Sequence, residues 1–252
     1  MEVHHHSAQH PADSHASGNH QLAGKKRWKH YLWEFLMLFL AVFCGFLAEN
    51  IREHKIENAR GKQYISSFTE DLKTDTTNIN LQINELKIQD NVLNGIYECY
   101  DSVTQKIPSP DCLKKIIINS SGFTDFIYTD RTIQQLKYAG GLRLIRDREI
   151  ADSIIKYDAE VRSLLIHQEV LENQQQIALN AHNSMIGFIE LQKLRFPVNR
   201  NGEFLLSSDK RELNKYFNEI ATFKTGCISQ LRWLIKLKGM ATGLLIFIEN
   251  RH

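Results

Sequence analysis

The apolar run Tyr31-Leu32-Trp33-Glu34-Phe35-Leu36-Met37-Leu38-Phe39-Leu40-Ala41-Val42-Phe43-Cys44-Gly45-Phe46-Leu47-Ala48 has the length and composition of a helix that crosses a membrane. Extended to Ile51 it is interrupted only by Glu34, Glu49 and Asn50. At 1.5 Å per residue it is roughly 30 Å long, the thickness of a bilayer's hydrocarbon core. A buried core helix or a cleaved signal peptide are the competing readings. A signal peptide ends in a small-residue cleavage site, whereas Glu49-Asn50-Ile51-Arg52 follows here and the helical pattern continues. Trp28, Tyr31 and Trp33 cluster at the N-terminal edge, where amphipathic rings favour the headgroup layer. Glu34 lies one turn inside that edge, within reach of water. Ala41, Gly45 and Ala48 form a small-residue face of the kind on which two anchors pair.

Lys25, Lys26, Arg27 and Lys29 crowd the N-terminal flank, while Arg52, Lys55, Arg60 and Lys62 are spread beyond the other end. The tighter cluster predicts a cytoplasmic N-terminus and an extracytoplasmic remainder. The expected organisation is a disordered His-rich cytoplasmic tail over 1–24, a basic collar and transmembrane helix over 25–51, and a periplasmic helical bundle over 52–252. The inner membrane is the expected location.

The chain of 252 residues carries 31 Lys+Arg against 29 Asp+Glu, a net charge of +2 that gives no electrostatic reason for a nucleic-acid partner. Only 4 Pro and 13 Gly are present, too few for a turn-rich β-sandwich or barrel. Cys44 falls in the anchor, leaving Cys99, Cys112 and Cys227. Cys99 and Cys112 flank Lys106-Ile107-Pro108-Ser109-Pro110, so a disulfide closing this loop is compatible with an oxidising compartment, but an odd set of three favours free buried thiols.

The fold class expected is all-α: the transmembrane helix continues into an elongated antiparallel bundle of long helices. The stripe Ile65, Phe68, Leu72, Ile79, Ile83, Leu86, Leu93, Tyr97, Tyr100, with Thr76 and Asp90 filling gaps, predicts one long helix that Gly61 or Gly95 can bend. Ser109 is positioned to cap a short helix after the proline turn, and Thr129 or Asp130 another over Arg131 to Ala139, stopped by Gly140-Gly141. Asp147 caps a helix with the stripe Ile150, Ile154, Tyr157, Val161, Leu164, Gln168, Leu171, Gln175, Ala178, His182, Met185, Ile189, which Pro197 ends. Around Phe204-Leu205-Leu206 a short extended segment fits. Asp209 and Glu212 form a capping box for the last helix, with the stripe Leu213, Phe217, Ile220, Lys224, Cys227, Leu231, Leu234, Lys238, Ala241, Leu245, Ile248. Both stripes alternate four and three residues, the seam of nearly parallel or antiparallel helices in a coiled coil. The apolar end from Gly239 to Ile248 is half a bilayer span and follows Arg232, Lys236 and Lys238, so it is read as bundle. The fourth wall of the bundle is supplied either by the short helices or by a second subunit.

The stretch Arg131-Thr132-Ile133-Gln134-Gln135-Leu136-Lys137, with Gly140-Gly141-Leu142-Arg143-Leu144-Ile145 and Ile154-Ile155-Lys156-Tyr157, resembles a family of uncharacterised envelope proteins found mainly in Bacteroidota. Trp33 to Val42 and the opening Met1-Glu2-Val3-His4-His5-His6 are similar to the same family. The resemblance implies an N-terminal anchor, about 200 residues of helix and membrane location; it brings no catalytic residue and no ligand. Physically the motif reads as structure: Gly140-Gly141 reverses the chain, Leu142, Leu144 and Ile145 dock it, and Arg143 and Arg146 bond helix carbonyls or acids. An anion site on Arg143, Arg146 and Arg148 is the functional alternative.

Gly-rich phosphate loops, G-x-S-x-G, H-E-x-x-H and paired C-x-x-C are missing from the sequence, and the repeated Glu-x-x-His pairs on inward helix faces that a bundle di-metal site needs are not found. His182 shares its stripe with Gln168 and Gln175, a polar layer that either fixes register or binds a ligand. His4, His5, His6 and His10 are the candidate metal ligands, in a tail whose composition cannot fold. The expected function is a non-enzymatic, single-pass envelope interaction or scaffold protein without a cofactor, with the lipid bilayer and a protein partner or second copy as its partners. The alternative is a ligand-sensing bundle that signals through a separate protein.

Overall fold

A computed structural model describes residues 23–104, 111–112, 115–116, 125–187, 189, 205–207 and 209–251, with side chains from Trp28. Helices account for 89% of the described residues and no strand forms among them, so the protein is all-α. The chain divides into two compact units, one up to Ile56 and one from Glu57. Helix α1, Ala23–Tyr97, contributes to both.

In the first unit α1 carries the apolar run, and no side chain from Trp28 to Ile56 is buried. Phe35, Phe39 and Phe43 stack along one face at centroid spacings of 6.3 and 6.0 Å. Its most apolar window has a mean hydropathy of 2.0, and the helix is long and apolar enough to cross a membrane. None of that window is buried among the described residues, and exposed apolar surface of this extent is the kind that lipid or a partner covers.

The second unit is built on the rest of α1, α4 (Arg148–Met185) and α5 (Lys210–Glu249). Between α1 and α4 come α2 (Tyr100–Thr104), α3 (Arg131–Tyr138) and a 3₁₀ turn over Gly141–Leu144. Helix α5 packs antiparallel on α4: Lys236 meets Glu160, Gln230 meets His167, and Tyr216 lies beside His182. Helices α1 and α4, in contrast, run parallel, because Asp75 bonds Tyr157 and Gln82 bonds Gln168. The segment 125–144 makes this possible by returning along α1. Asn78 donates to the Ile127 carbonyl, Asp75 accepts from Thr129 N–H, Asp71 from Thr132 N–H, and Leu144 reaches Gly61. This strap is the fourth wall over that part of the bundle.

Gly61 permits the last of these contacts, and α1 continues through it as helix. A Cβ at Gly61 would sit 2.2 Å from the Leu144 carbonyl oxygen. Gly140 adopts φ 67°, the left-handed conformation that stops α3 as expected.

The stripe of α4 is buried as the sequence predicts from Ile150 to Met185, except that Gln175 is only half buried and Asp158 joins the interior; Ile189, the last predicted member, is half buried and lies beyond α4. Its end differs: α4 stops at Met185, well before Pro197, because Ile186 turns extended and bridges Leu205, while Leu206 N–H bonds the Met185 carbonyl. Asp147 and Asp209 cap α4 and α5 through their carboxylates. Ser207, not Glu212, accepts the Asp209 N–H, so the capping box is completed from the preceding loop. In α5 the buried residues between the shared positions are Phe223, Gln230, Leu237 and Leu244 rather than Lys224, Leu231, Lys238 and Leu245. The helix turns its bulkier apolar edge inward and leaves the lysines at the rim, where Lys224 lies over the Tyr97 ring at 5.3 Å.

Cys99 and Cys112 are joined as a disulfide, with Cα atoms 5.4 Å apart, so the expectation of free thiols is corrected for this pair. Cys227 remains free and buried and Cys44 free and exposed.

Candidate functional site

The strongest concentration of chemistry in the bundle is a set of buried carboxylates that hold the strap. Asp71, Asp75 and Asp158 are 3%, 1% and 1% exposed, and acids buried to this extent need partners. Asp71 accepts from Arg131 Nη2 at 2.6 Å and from Thr132 N–H at 3.0 Å. It thereby caps α3 from another helix, since Asp130 at the α3 start makes no cap bond and accepts instead from Gln134. Asp75 accepts from Thr129 N–H at 2.8 Å and from the Tyr157 hydroxyl at 3.0 Å. Burial pushes its pKa from 3.8 to about 6 against the pull of those hydrogen bonds, and the Asp71 charge adds to the rise.

Asp158 has the opposite balance. Burial raises it, but hydrogen bonds from Arg162, Lys137 and the Tyr128 hydroxyl outweigh burial and leave its pKa below the ordinary value. The Tyr128 and Tyr157 hydroxyls are themselves pushed upward, first by burial and then by the neighbouring carboxylates. Two carboxylates with different environments beside two tyrosines resemble an acid–base pair in outline. Every oxygen of the three acids, however, is bonded to a group of the strap or of α4. The arrangement is a latch.

Further along the bundle the interior is polar in layers. Gln168 accepts from Phe126 N–H at 3.0 Å and from Gln82 at 3.4 Å, and His167 Nδ1 lies 2.9 Å from Gln230 Oε1. His182 is 2% exposed with neither ring nitrogen hydrogen-bonded, and burial lowers its pKa from 6.5 to about 4. Tyr216, its neighbour at a centroid distance of 6.3 Å, also has a hydroxyl without a partner. A groove of about 410 Å³ lies beside them, between Asn180, Ser184, Glu212, Lys215 and Glu219.

Of the residues singled out in the sequence, Gln168 and His182 are inside the bundle but do not touch one another, and Gln175 lies at the boundary. Arg143, Arg146 and Arg148 make no ion pair with a described residue, while Thr132, Ile133, Leu136, Gly141, Ile145, Ile154 and Tyr157 of the motif are buried. His4, His5, His6 and His10 lie outside the described residues. Among the described residues no cluster of three His, Cys, Asp or Glu is arranged to hold a metal ion.

Asp75 escaped the sequence reading because it placed Thr76 in the interior, where Asp75 is, and Asp71 and Asp158 lie beside the stripes rather than on them. The signal was available: Phe68, Asp75, Gln82, Gln89 and Ile96 recur every seven residues, all buried, with three polar members in the middle. A polar run at one heptad position marks partners on the facing elements. Comparison with protein-family models, curated proteins and solved structures finds no match.

Proposed function

We propose that this chain is a single-pass protein of the cytoplasmic membrane, with its N-terminus in the cytoplasm and its bundle outside, acting by interaction rather than by catalysis. One observation carries the reading: the apolar helix of the first unit is uncovered over its whole most apolar window. The basic cluster on its N-terminal flank supports the orientation. So does the Cys99–Cys112 disulfide, which persists in oxidising compartments and not in the cytosol. The non-enzymatic part rests on the latch, whose acids are consumed by structural bonds, and on the lack of a G-x-S-x-G or H-E-x-x-H motif in the sequence.

Protease treatment of spheroplasts tests this. The bundle is degraded while a fragment containing the N-terminal tail survives; protection of residues 52–252 in intact spheroplasts would refute the topology. The second reading, a bundle that senses a small ligand and signals through a separate partner, is favoured by the unbonded His182 and Tyr216 beside the groove. A thermal-shift screen on the purified full chain separates the two.

A further inference from the structure

Helix α4 has a second stripe, opposite the one that faces the bundle. From Ala159 to Ser184 the residues at steps alternating four and three are all exposed and none is charged. Ile166, Val170 and Ile177 on it are 67%, 52% and 43% exposed. The exposed charges of the same stretch, Arg162, Glu169 and Glu172, all lie off the stripe. A 3.5-residue repeat of uncharged residues with three β-branched members at its centre, bordered by charge, is the complement of another helix, not of a flat surface or a small ligand.

We infer that this stripe pairs with the same stripe of a second copy, parallel and in register. The inference rests on the interaction reading above and names its partner. Three features select this occupant. Asn173 and Asn180 lie on the stripe at equivalent positions of successive heptads. In a parallel in-register pair each amide meets its own image and the two bond each other, whereas in an antiparallel pair Asn173 faces Val170, Ile177 or a serine. Val170 and Ile177 then occupy the positions at which β-branched residues favour two parallel strands. The flanking charges do not clash, since in this register Arg162 faces His167 and Glu169 faces Gln174 of the other copy. Finally, α1 and α4 run the same way, so a parallel pair brings residue 57 of both copies to the same end, as two anchors in one membrane require.

The test uses the full chain in native membranes, where confinement raises the effective concentration. Cys44→Ser removes the anchor thiol, and single cysteines are introduced by Val170→Cys, Asn173→Cys and Ile177→Cys, with Glu172→Cys as an exposed control off the stripe. Mild oxidation is expected to give a species of twice the monomer mass from the three stripe variants and not from the control. Adding Ile166→Glu and Val170→Glu to the Asn173→Cys chain abolishes the species while the unfolding midpoint is unchanged, because both side chains are exposed. No dimer, or a dimer formed equally by Glu172→Cys, overturns the pairing. A stripe cysteine that links to a different protein also overturns it and leaves the interaction reading standing. Failure of that reading shows instead as a bundle that links to nothing.

Discussion

Replacing Asp75 by Asn removes a charge from the interior without changing the shape of the latch. The asparagine oxygen still accepts from Thr129 N–H, and its amide donates to the Tyr157 hydroxyl, which rotates to accept. In the parent the fold favours the neutral carboxyl, since its pKa rises from 3.8 to about 6. Protonation-linked stability is therefore fully present below 3.8 and is lost as pH rises through 6. Carrying the ionised form at pH 7.5 costs about 3 kcal/mol at about 1.4 kcal/mol per pH unit. Asp75→Asn is expected to recover most of this, raising the unfolding midpoint by roughly 6–12 °C for a chain of this size. At pH 4 the parent is protonated and the gain shrinks below about 1 kcal/mol. Circular dichroism melts of both full chains in the same detergent, at each pH, read the difference directly. The reasoning is refuted if the variant is less stable than the parent at pH 7.5 and the deficit closes at pH 4, for then the ionised carboxylate itself holds the strap.

Burial of His182 predicts the opposite slope: its pKa falls from 6.5 to about 4, so its contribution is present above 6.5 and lost as pH falls through 4, by about 3 kcal/mol. His182→Leu should flatten the acid limb of a stability–pH profile, and an unchanged limb would exclude this residue as its source. Gly61→Ala sets a helix-propensity gain of about 1 kcal/mol against a collision with the Leu144 carbonyl costing about 1–3 kcal/mol or more, and a net loss is expected. Gly239→Ala, with open space at its Cβ, is expected to stabilise by about 0.5–1 kcal/mol, and the pair of denaturant midpoints checks both signs. Reduction of Cys99–Cys112, which closes a span of 13 residues, should cost about 3 kcal/mol, measured as the midpoint shift between reduced and oxidised chain.

The long helices were legible because burial repeats along them. Leu164, Leu171 and Ile154 are fully buried where their spacing puts them, and the Asp147 and Asp209 caps follow from residue type alone. Periodicity failed where two neighbours compete for one position. Thr76 and Asp75 fit the α1 stripe equally by spacing, and the aspartate goes inside only because Thr129 and Tyr157, distant in sequence, supply its bonds. In α5 spacing alone did not separate Lys224 from Phe223, although apolarity would have. The helix of the strap and its stop at Gly140 were legible, but the path of the segment before it was not. Residues 125–130 carry no repeat, and what fixes them is bonding to side chains of α1, 49 and 54 residues earlier, and of α4, 30 and 42 residues later. The polar layer expected at Gln168 and His182 exists only in part, because Gln168 is satisfied by Phe126 and Gln82 while His182 is not bonded.

The parallel placement of α1 and α4 has a consequence for how the bundle forms. In an up-and-down bundle each helix docks on the one just made, and contacts stay local. Here α4 meets its place on α1 only after the strap has come back along it, and the pairing of Asp75 with Tyr157 joins residues 82 apart. Loop closure of that span precedes any reward from α1–α4 packing. Folding should thus be slower than helix content suggests, and the strap, with its carboxylate bonds, is where the nucleus would be sought.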